Sequence, residues 1–357
     1  MQQAAALAAE HELDALLLMP GADLLRLTGY DAMPLERLTL LVVPASGSPS
    51  LVVPGFERPL AEEAGVGALA EIESWNDGED PYALAARMIG PGRRFAIASQ
   101  AWASHLLGLQ RALPDAGFVP TEEALPLLRA VKDAAELDLL QAAARSADAA
   151  YGELLRRPFG GRTEDEVAAD LDAALRRNGH QSVDFVTVGS GANGASPHHA
   201  HGPRSMSAGD AVVLDFGGLV HGYASDTTRV VSIGDAGAEV AEVHEIVCRA
   251  QQAAFEAVRP GVPCQEVDRA ARRVIADAGY GANFTHRTGH GVGMTIHEPP
   301  YIVEGEQMPL AEGMCFSVEP GIYLAGRFGV RIEDLVVVTP QGCRRLQCAP
   351  RDLAVVS

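Results

Sequence analysis

No stretch of this 357-residue chain approaches the roughly 20 consecutive apolar residues that a helix needs to cross a bilayer, so no membrane span is expected. Positive charge is scarce: 28 Lys and Arg stand against 47 Asp and Glu, a net −19. Such a field repels nucleic acid and anionic membrane surfaces, which removes both from the expected partners, and it suits solubility and cation binding. The opening MQQAAALAAEHELDALLLMP lacks a basic start and carries acids inside its apolar part, so a secretory signal is not expected. Cysteine is sparse as well. Cys248, Cys264, Cys315, Cys343 and Cys348 form neither a CxxC pair nor a disulfide framework, and they read as packing residues in a reducing cytoplasm. What remains is a soluble globular chain, 47% hydrophobic and 21% charged, long enough for two domains.

The first third alternates short apolar runs, DALLLM at 14–19, LTLLVV at 38–43 and FAIAS at 95–99, with helix-like stretches. That alternation predicts an α/β domain with a largely internal sheet. The pattern breaks between Pro120 and Pro126, and KDAAELDLLQAAARSADAAYGELLRR then reads as a long amphipathic helix, placing the domain boundary near residues 120–131. Thr163 and Glu166 form a capping box for a second helix that runs to about Arg177. Strands DFVTV, AVVLDFG and YASDTTRVVSI follow, then helices over about 237–258 and 265–278, then strands MCFSVEPGIYL and GVRIEDLVVV. Helices and antiparallel strands segregate in blocks, the mark of an α+β domain.

Four acids sit inside apolar strand runs: Asp215, Asp226, Glu319 and Glu333. In an antiparallel hairpin, Asp215 opposite Asp226 puts the turn between Val220 and His221, next to Gly222. Glu319 opposite Glu333 puts it on Gly326. Like charges facing each other across strands destabilise a sheet, so something must neutralise them. A shared proton or Arg331, two residues from Glu333 on the same strand face, is one answer. A pair of divalent cations spanned by bridging carboxylates is the other. Four carboxylates with one imidazole make a hard donor set, better suited to manganese, cobalt or iron(II) than to a thiolate-type zinc site.

The stretch HRTGHGVGMTIHEPP, 286–300, holds three of the eleven histidines. His290 lies between glycines, where the backbone can bend closely around a bound group, and is the natural nitrogen ligand. His286 and His297 read as ligands, proton donors or plain polar loop residues. SPHHAHGPR supplies His198, His199 and His201 on a loop, either as part of a site or as a surface tract.

The ordered set DFG…SDTTR, TGHGVG, HEPP, VEPGIY and VRIED resembles the pita-bread-fold metallopeptidases: prolidase, aminopeptidase P and, more distantly, methionine aminopeptidase. The resemblance covers roughly residues 130–350, and the N-terminal third looks like the creatinase-type domain. It implies an α/β N-terminal creatinase-like domain over 1–125 and an α+β pita-bread catalytic domain over 126–357. It implies two divalent metal ions, Mn2+ first, with Co2+, Fe2+ or Zn2+ as alternatives. Asp215 would ligate one ion, His290 and Glu319 the second, and Asp226 and Glu333 would bridge. Glu319 would also be general base and proton shuttle. His198, with His199 as its neighbour, would lie near the substrate, His297 near its carbonyl, and His286, Tyr323 and Arg331 around the site.

The implied activity is cleavage of the Xaa-Pro bond in dipeptides (prolidase), by a cytoplasmic homodimer with a proline-containing dipeptide or short peptide as substrate. The alternatives are an Xaa-Pro aminopeptidase, a hydrolase of small non-peptide amides and a non-catalytic binding protein on the same fold. One position departs from the family. Many prolidases carry an arginine four residues after the HE histidine, where this chain has Tyr301. A dipeptide's carboxylate then needs another donor, with Tyr301 beside it: Arg331, Arg327 or a residue from a partner's N-terminal domain.

Overall fold

Six strands run through the first 129 residues: β1 (Ala15–Leu18), β2 (Leu40–Pro44), β3 (Ser50–Pro54), β4 (Glu71–Trp75), β5 (Arg94–Ile97) and β6 (Gly117–Pro120). In the computed structural model, which describes residues 1–125 and 127–357, they form one sheet in the order β4-β3-β2-β1-β5-β6. Strand β1 lies inside it, antiparallel to β2 and parallel to β5. Alternation sends Leu16 and Leu18 into one apolar cluster and Ala15 and Leu17 into another. Both faces are therefore covered, which is why β1 is apolar at every position. Strands β1, β2 and β5 are the three visible in the sequence. Strands β4 and β6 sit at the sheet edges, where less burial leaves a weaker apolar signal.

The chain divides into two units, Met1–Arg129 and Ala130–Ser357. In the second, helix Ala134–Leu154 starts on an Asp133/Glu136 capping box and helix Glu164–Arg177 on the expected Thr163/Glu166 box. Helices Ala238–Ala257 and Cys264–Asp277 follow the first hairpin. No helix among the described residues is long and apolar enough to cross a membrane.

The strands of this unit are β7 (Ser182–Ser190), β8 (Ala211–Val220), β9 (Tyr223–Ile233), β10 (Gly289–Gly291), β11 (Glu298–Ile302), β12 (Cys315–Val318), β13 (Gly321–Leu324), β14 (Phe328–Arg331), β15 (Asp334–Thr339), β16 (Gly342–Arg345) and β17 (Ala354–Val356). They form sheets β17-β9-β8-β7 and β11-β10-β12-β15-β16, and the pair β13-β14. Helices packed on these sheets bury Val243, Val247, Val267 and Ala271 against Phe316, Val330 and Val336, and Leu171 with Leu175 against Leu214 and Phe216.

Both expected hairpins form, with one change of register and one interruption. In β8–β9, Asp215 stands opposite Thr228 and Asp226 opposite Gly217, so the two acids are diagonal rather than directly opposed. The cause is the turn. A two-residue hairpin turn of this kind needs positive φ at both central residues. His221 (φ 51°) and Gly222 (φ 79°) supply them, moving the turn one residue along from the Val220–His221 centre. Diagonal neighbours sit roughly 7–8 Å apart on the same face, so the carboxylates still share a side.

The expected strands MCFSVEPGIYL and GVRIEDLVVV form one long hairpin whose ladder opens in the middle. Below the break Val318 faces Asp334, and above it Gly321 faces Arg331, in a single continuous register. Glu319 and Glu333 lie in the opening. There Glu333 makes a bridge to Thr228 of β9 instead, and the Glu319 amide donates to the Thr288 carbonyl.

Candidate metal centre and substrate cavity

Five side chains from five positions converge where the two hairpins meet. One ligand atom each from Asp226, His290 and Glu333 lies within 4.8 Å of the others, and all three residues are buried. His290 Nε2 is 3.5 Å from Asp226 Oδ2 and 3.2 Å from Glu319 Oε1. Asp215 joins from β8 through Arg331, whose Nη2 donates to Asp215 Oδ2 at 2.6 Å.

Strand β10 holds His290 between β11 and β12, and the spacing leaves no room for neighbours with side chains. A Cβ on Gly289 would overlap the Ser317 carbonyl oxygen, and one on Gly291 the Pro299 oxygen. These glycines serve close approach of strands, which is what the GHG motif encodes. The His290 Nδ1 faces the Gly291 carbonyl at 3.2 Å, a contact that places a proton on Nδ1 and turns Nε2 toward the acids. Ser317 Oγ ties the arrangement together, accepting from the His290 amide and donating to Glu319 Oε1 at 3.0 Å.

The surrounding hydrogen bonds hold individual carboxylate oxygens and leave others free. Thr228 Oγ1 donates to Glu333 Oε2 at 2.6 Å and accepts from Arg331 Nε at 3.1 Å. Arg331 Nη1 donates to the Tyr323 hydroxyl, which is 2.8 Å from His286 Nε2 in turn. Yet Asp215 Oδ1 and Glu333 Oε1 are buried with no partner. Burial pushes the Glu333 carboxyl well above the usual carboxylate range, with the charges of Asp226, Glu319 and Asp215 adding to the push. Burial does the same to Asp226, where His290 opposes it and Asp215 and Glu319 reinforce it. Burial also works to raise Glu319, but the hydrogen bond to His290 and that ring's charge hold it down at about 2. Four acids therefore gather around one imidazole and one guanidinium, with two buried oxygens left without a partner. Oxygen donors arranged in this way fit divalent cations.

The acids line the floor of a cavity of about 520 Å³, a size suited to a small ligand. His198, exposed on its loop, and His297 stand in its wall with His286. The His297 ring meets the His290 ring edge to face at 4.1 Å between centroids. His297 keeps an exposed face, but the partial burial of its ring, followed by the charges of His290 and Arg287, lowers the imidazole to about 4, so it is neutral at pH 7. Burial likewise lowers His286. His199 also lines the cavity, but its Nε2 is held by Glu164 Oε2 at 2.9 Å. Glu164 is fully buried and also accepts from Ser190 and Asn193, so it ties the SPHH loop down. His201 pairs with Asp165 at the surface.

Three sequence expectations land elsewhere. Arg331 serves Asp215, Thr228 and Tyr323, and no bond joins it to Glu333. Arg327 is paired with Glu239 away from the cavity. Tyr301 does not line the cavity, because the Arg287 guanidinium lies over its ring, 4.7 Å from the centroid, and faces the cavity in its place. Arg287 escaped the sequence reading, since a single arginine beside a histidine carries no spacing signal. The lone lysine, Lys132, was also missed. It forms a 2.7 Å pair with Glu298 of HEPP, both side chains almost fully buried.

Residues 138–340 match the model of metallopeptidase family M24, and residues 1–131 match the creatinase/prolidase N-terminal domain. A probable dipeptidase PepE of Mycobacterium tuberculosis is 44% identical, aligning 99% of this chain with 95% of that protein. An Xaa-Pro dipeptidase of Lactobacillus helveticus is 35% identical over 92% of this chain and 91% of its own. Among solved structures, dipeptidase PepE from Mycobacterium ulcerans superposes with a TM-score of 0.95 at 46% identity, covering 99% of this chain and 96% of that one.

Proposed function

The chain belongs to metallopeptidase family M24, and from that membership we propose that it is an Xaa-Pro dipeptidase, hydrolysing the bond before proline in dipeptides. The observation that carries this reading is the convergence of Asp215, Asp226, His290, Glu319 and Glu333 on the floor of a cavity of small-ligand size. We assign them as the residues that would hold two divalent ions. Manganese is assigned first because the donor set is four carboxylates and one imidazole. Once bound, such ions acidify a water into a nucleophile and polarise the scissile carbonyl.

The chain's own groups do the rest. Glu319 is ionised at neutral pH and stands next to His290, so its carboxylate accepts the proton of the attacking water and passes it to the departing proline nitrogen. His297, neutral at pH 7, and His198 present N–H groups to the oxygen on which charge develops. Arg331 and Thr228 orient Asp215 and Glu333 by hydrogen bonds, and Tyr323 with His286 completes that chain. His199, bound to Glu164, fixes the loop that carries His198.

The absence of any long apolar helix among the described residues and five free cysteines support a cytoplasmic setting, and we assign a homodimer from the family. Nucleic acid and membranes are not assigned as partners of a chain carrying −19. The test compares an Xaa-Pro dipeptide with an Xaa-Pro-Yaa tripeptide in the presence of manganese. A higher kcat/KM on the dipeptide is expected. Preference for the tripeptide would move the assignment to an Xaa-Pro aminopeptidase.

A further inference from the structure

We propose that Arg287 is the carboxylate anchor of the substrate cavity, its guanidinium taking a carboxylate of the bound dipeptide. The inference rests on the dipeptidase reading and goes beyond it by naming the group that recognises the substrate's charge. Two arginines line the cavity, Arg287 and Arg331. Arg331 is 3% exposed, and all three of its nitrogens already donate, to Thr228, Tyr323 and Asp215. Arg287 is half-buried, and among the described residues no carboxylate or carbonyl accepts from its guanidinium.

Its position is nonetheless held. The guanidinium lies over the Tyr301 ring, 4.7 Å from its centroid, and the Arg287 backbone carbonyl faces His286 Nδ1 at 2.7 Å. A cation–π contact uses none of a guanidinium's N–H donors, and its planar fork meets a carboxylate bidentately. Tyr301 therefore supports the cation rather than replacing it. A dipeptide has its terminal carboxylate one residue from the scissile carbonyl, so the anchor must stand in the same cavity as the acids on the floor, as Arg287 does. An acidic side chain before proline would present the same chemistry to the same donor.

The experiment sets Arg287→Ala and Arg287→Lys beside the unaltered protein on three substrates: a dipeptide with leucine before proline, its C-terminal amide and a dipeptide with glutamate before proline. Calorimetric Kd values for proline and prolinamide, with and without manganese, give a readout independent of turnover. For a terminal carboxylate, Arg287→Ala raises KM on the leucyl dipeptide and Kd for proline by about 10- to 100-fold, while the amide and prolinamide barely change. For a side-chain carboxylate, the preference for glutamate over leucine collapses and the acid-to-amide ratio holds. Arg287→Lys recovers part of either effect, keeping charge without the fork. If both ratios stay fixed while all substrates slow together, the residue is structural and the inference is overturned. If the unaltered protein cleaves no Xaa-Pro dipeptide, the dipeptidase reading fails instead, and the proline against prolinamide comparison still tests Arg287.

Discussion

Thr228 donates its hydroxyl proton to Glu333 across 2.6 Å while the backbones of the same two residues form a bridge between the hairpins. This one contact joins the hairpin that carries Asp215 and Asp226 to the one that carries Glu319 and Glu333. It also orients one Glu333 oxygen and leaves the other directed at the site. Thr228→Val keeps the shape and removes the hydroxyl. Loss of such a supporting bond is expected to weaken manganese binding about 10- to 100-fold, read by calorimetric titration. An unchanged Kd would show that the bridge of backbones suffices.

Glu164 lies outside the acid cluster but holds Ser190, Asn193 and His199. Glu164→Ala removes the tether of the SPHH loop. Metal content is expected to stay at the unaltered level while KM rises roughly tenfold, about 1.4 kcal/mol of lost positioning. Metal loss would place Glu164 in the support of the ions themselves.

Lys132 and Glu298 form a buried ion pair beside His297. Removing one member of such a pair costs about 3–5 kcal/mol, because the other charge stays buried. Lys132→Met is expected to lower stability by that amount in chemical unfolding. The double change with Glu298→Gln should recover much of the loss. A Lys132→Met protein as stable as the unaltered one would contradict the assignment.

The pH dependence follows from Asp226 and Glu333, both raised well above the carboxylate range when no ion is bound. The folded ion-free protein then holds protons that the unfolded chain releases at about pH 4, so its stability falls as pH rises above that value. Cations replace those protons. The gap in Tm between manganese-loaded and chelated protein is therefore expected to widen from pH 5 to pH 8. A constant or shrinking gap would contradict it.

Much of this arrangement was legible in residue order. The four acids in apolar strand runs, His290 and the capping box at Thr163 each leave a local signature in sequence, whereas the glycines beside His290, expected to bend a loop around a bound group, instead let strand β10 pack closely between its neighbours. The register of the long hairpin was visible too, because its two ladders share it on both sides of the break. The β8–β9 register was not, since it turns on a positive φ at His221, a conformation that stays uncommon even for histidine. The bond of Arg331 to Asp215, the Glu164 tether and the place of Arg287 over Tyr301 were also hidden. Each joins residues distant in sequence or depends on side-chain direction, and neither periodicity nor motif spacing encodes that.

The central claim is that Asp215, Asp226, His290, Glu319 and Glu333 would together hold two divalent ions. Metal content per chain, measured by elemental analysis after manganese loading and dialysis, tests it most directly when the unaltered protein is compared with Asp226→Ala. The account predicts about two ions per chain in the first, as a dinuclear site requires, and loss of both bound metal and Xaa-Pro hydrolysis in the second. An unaltered protein that retains no divalent ion, or an Asp226→Ala protein that retains as much metal and activity as before, would contradict it.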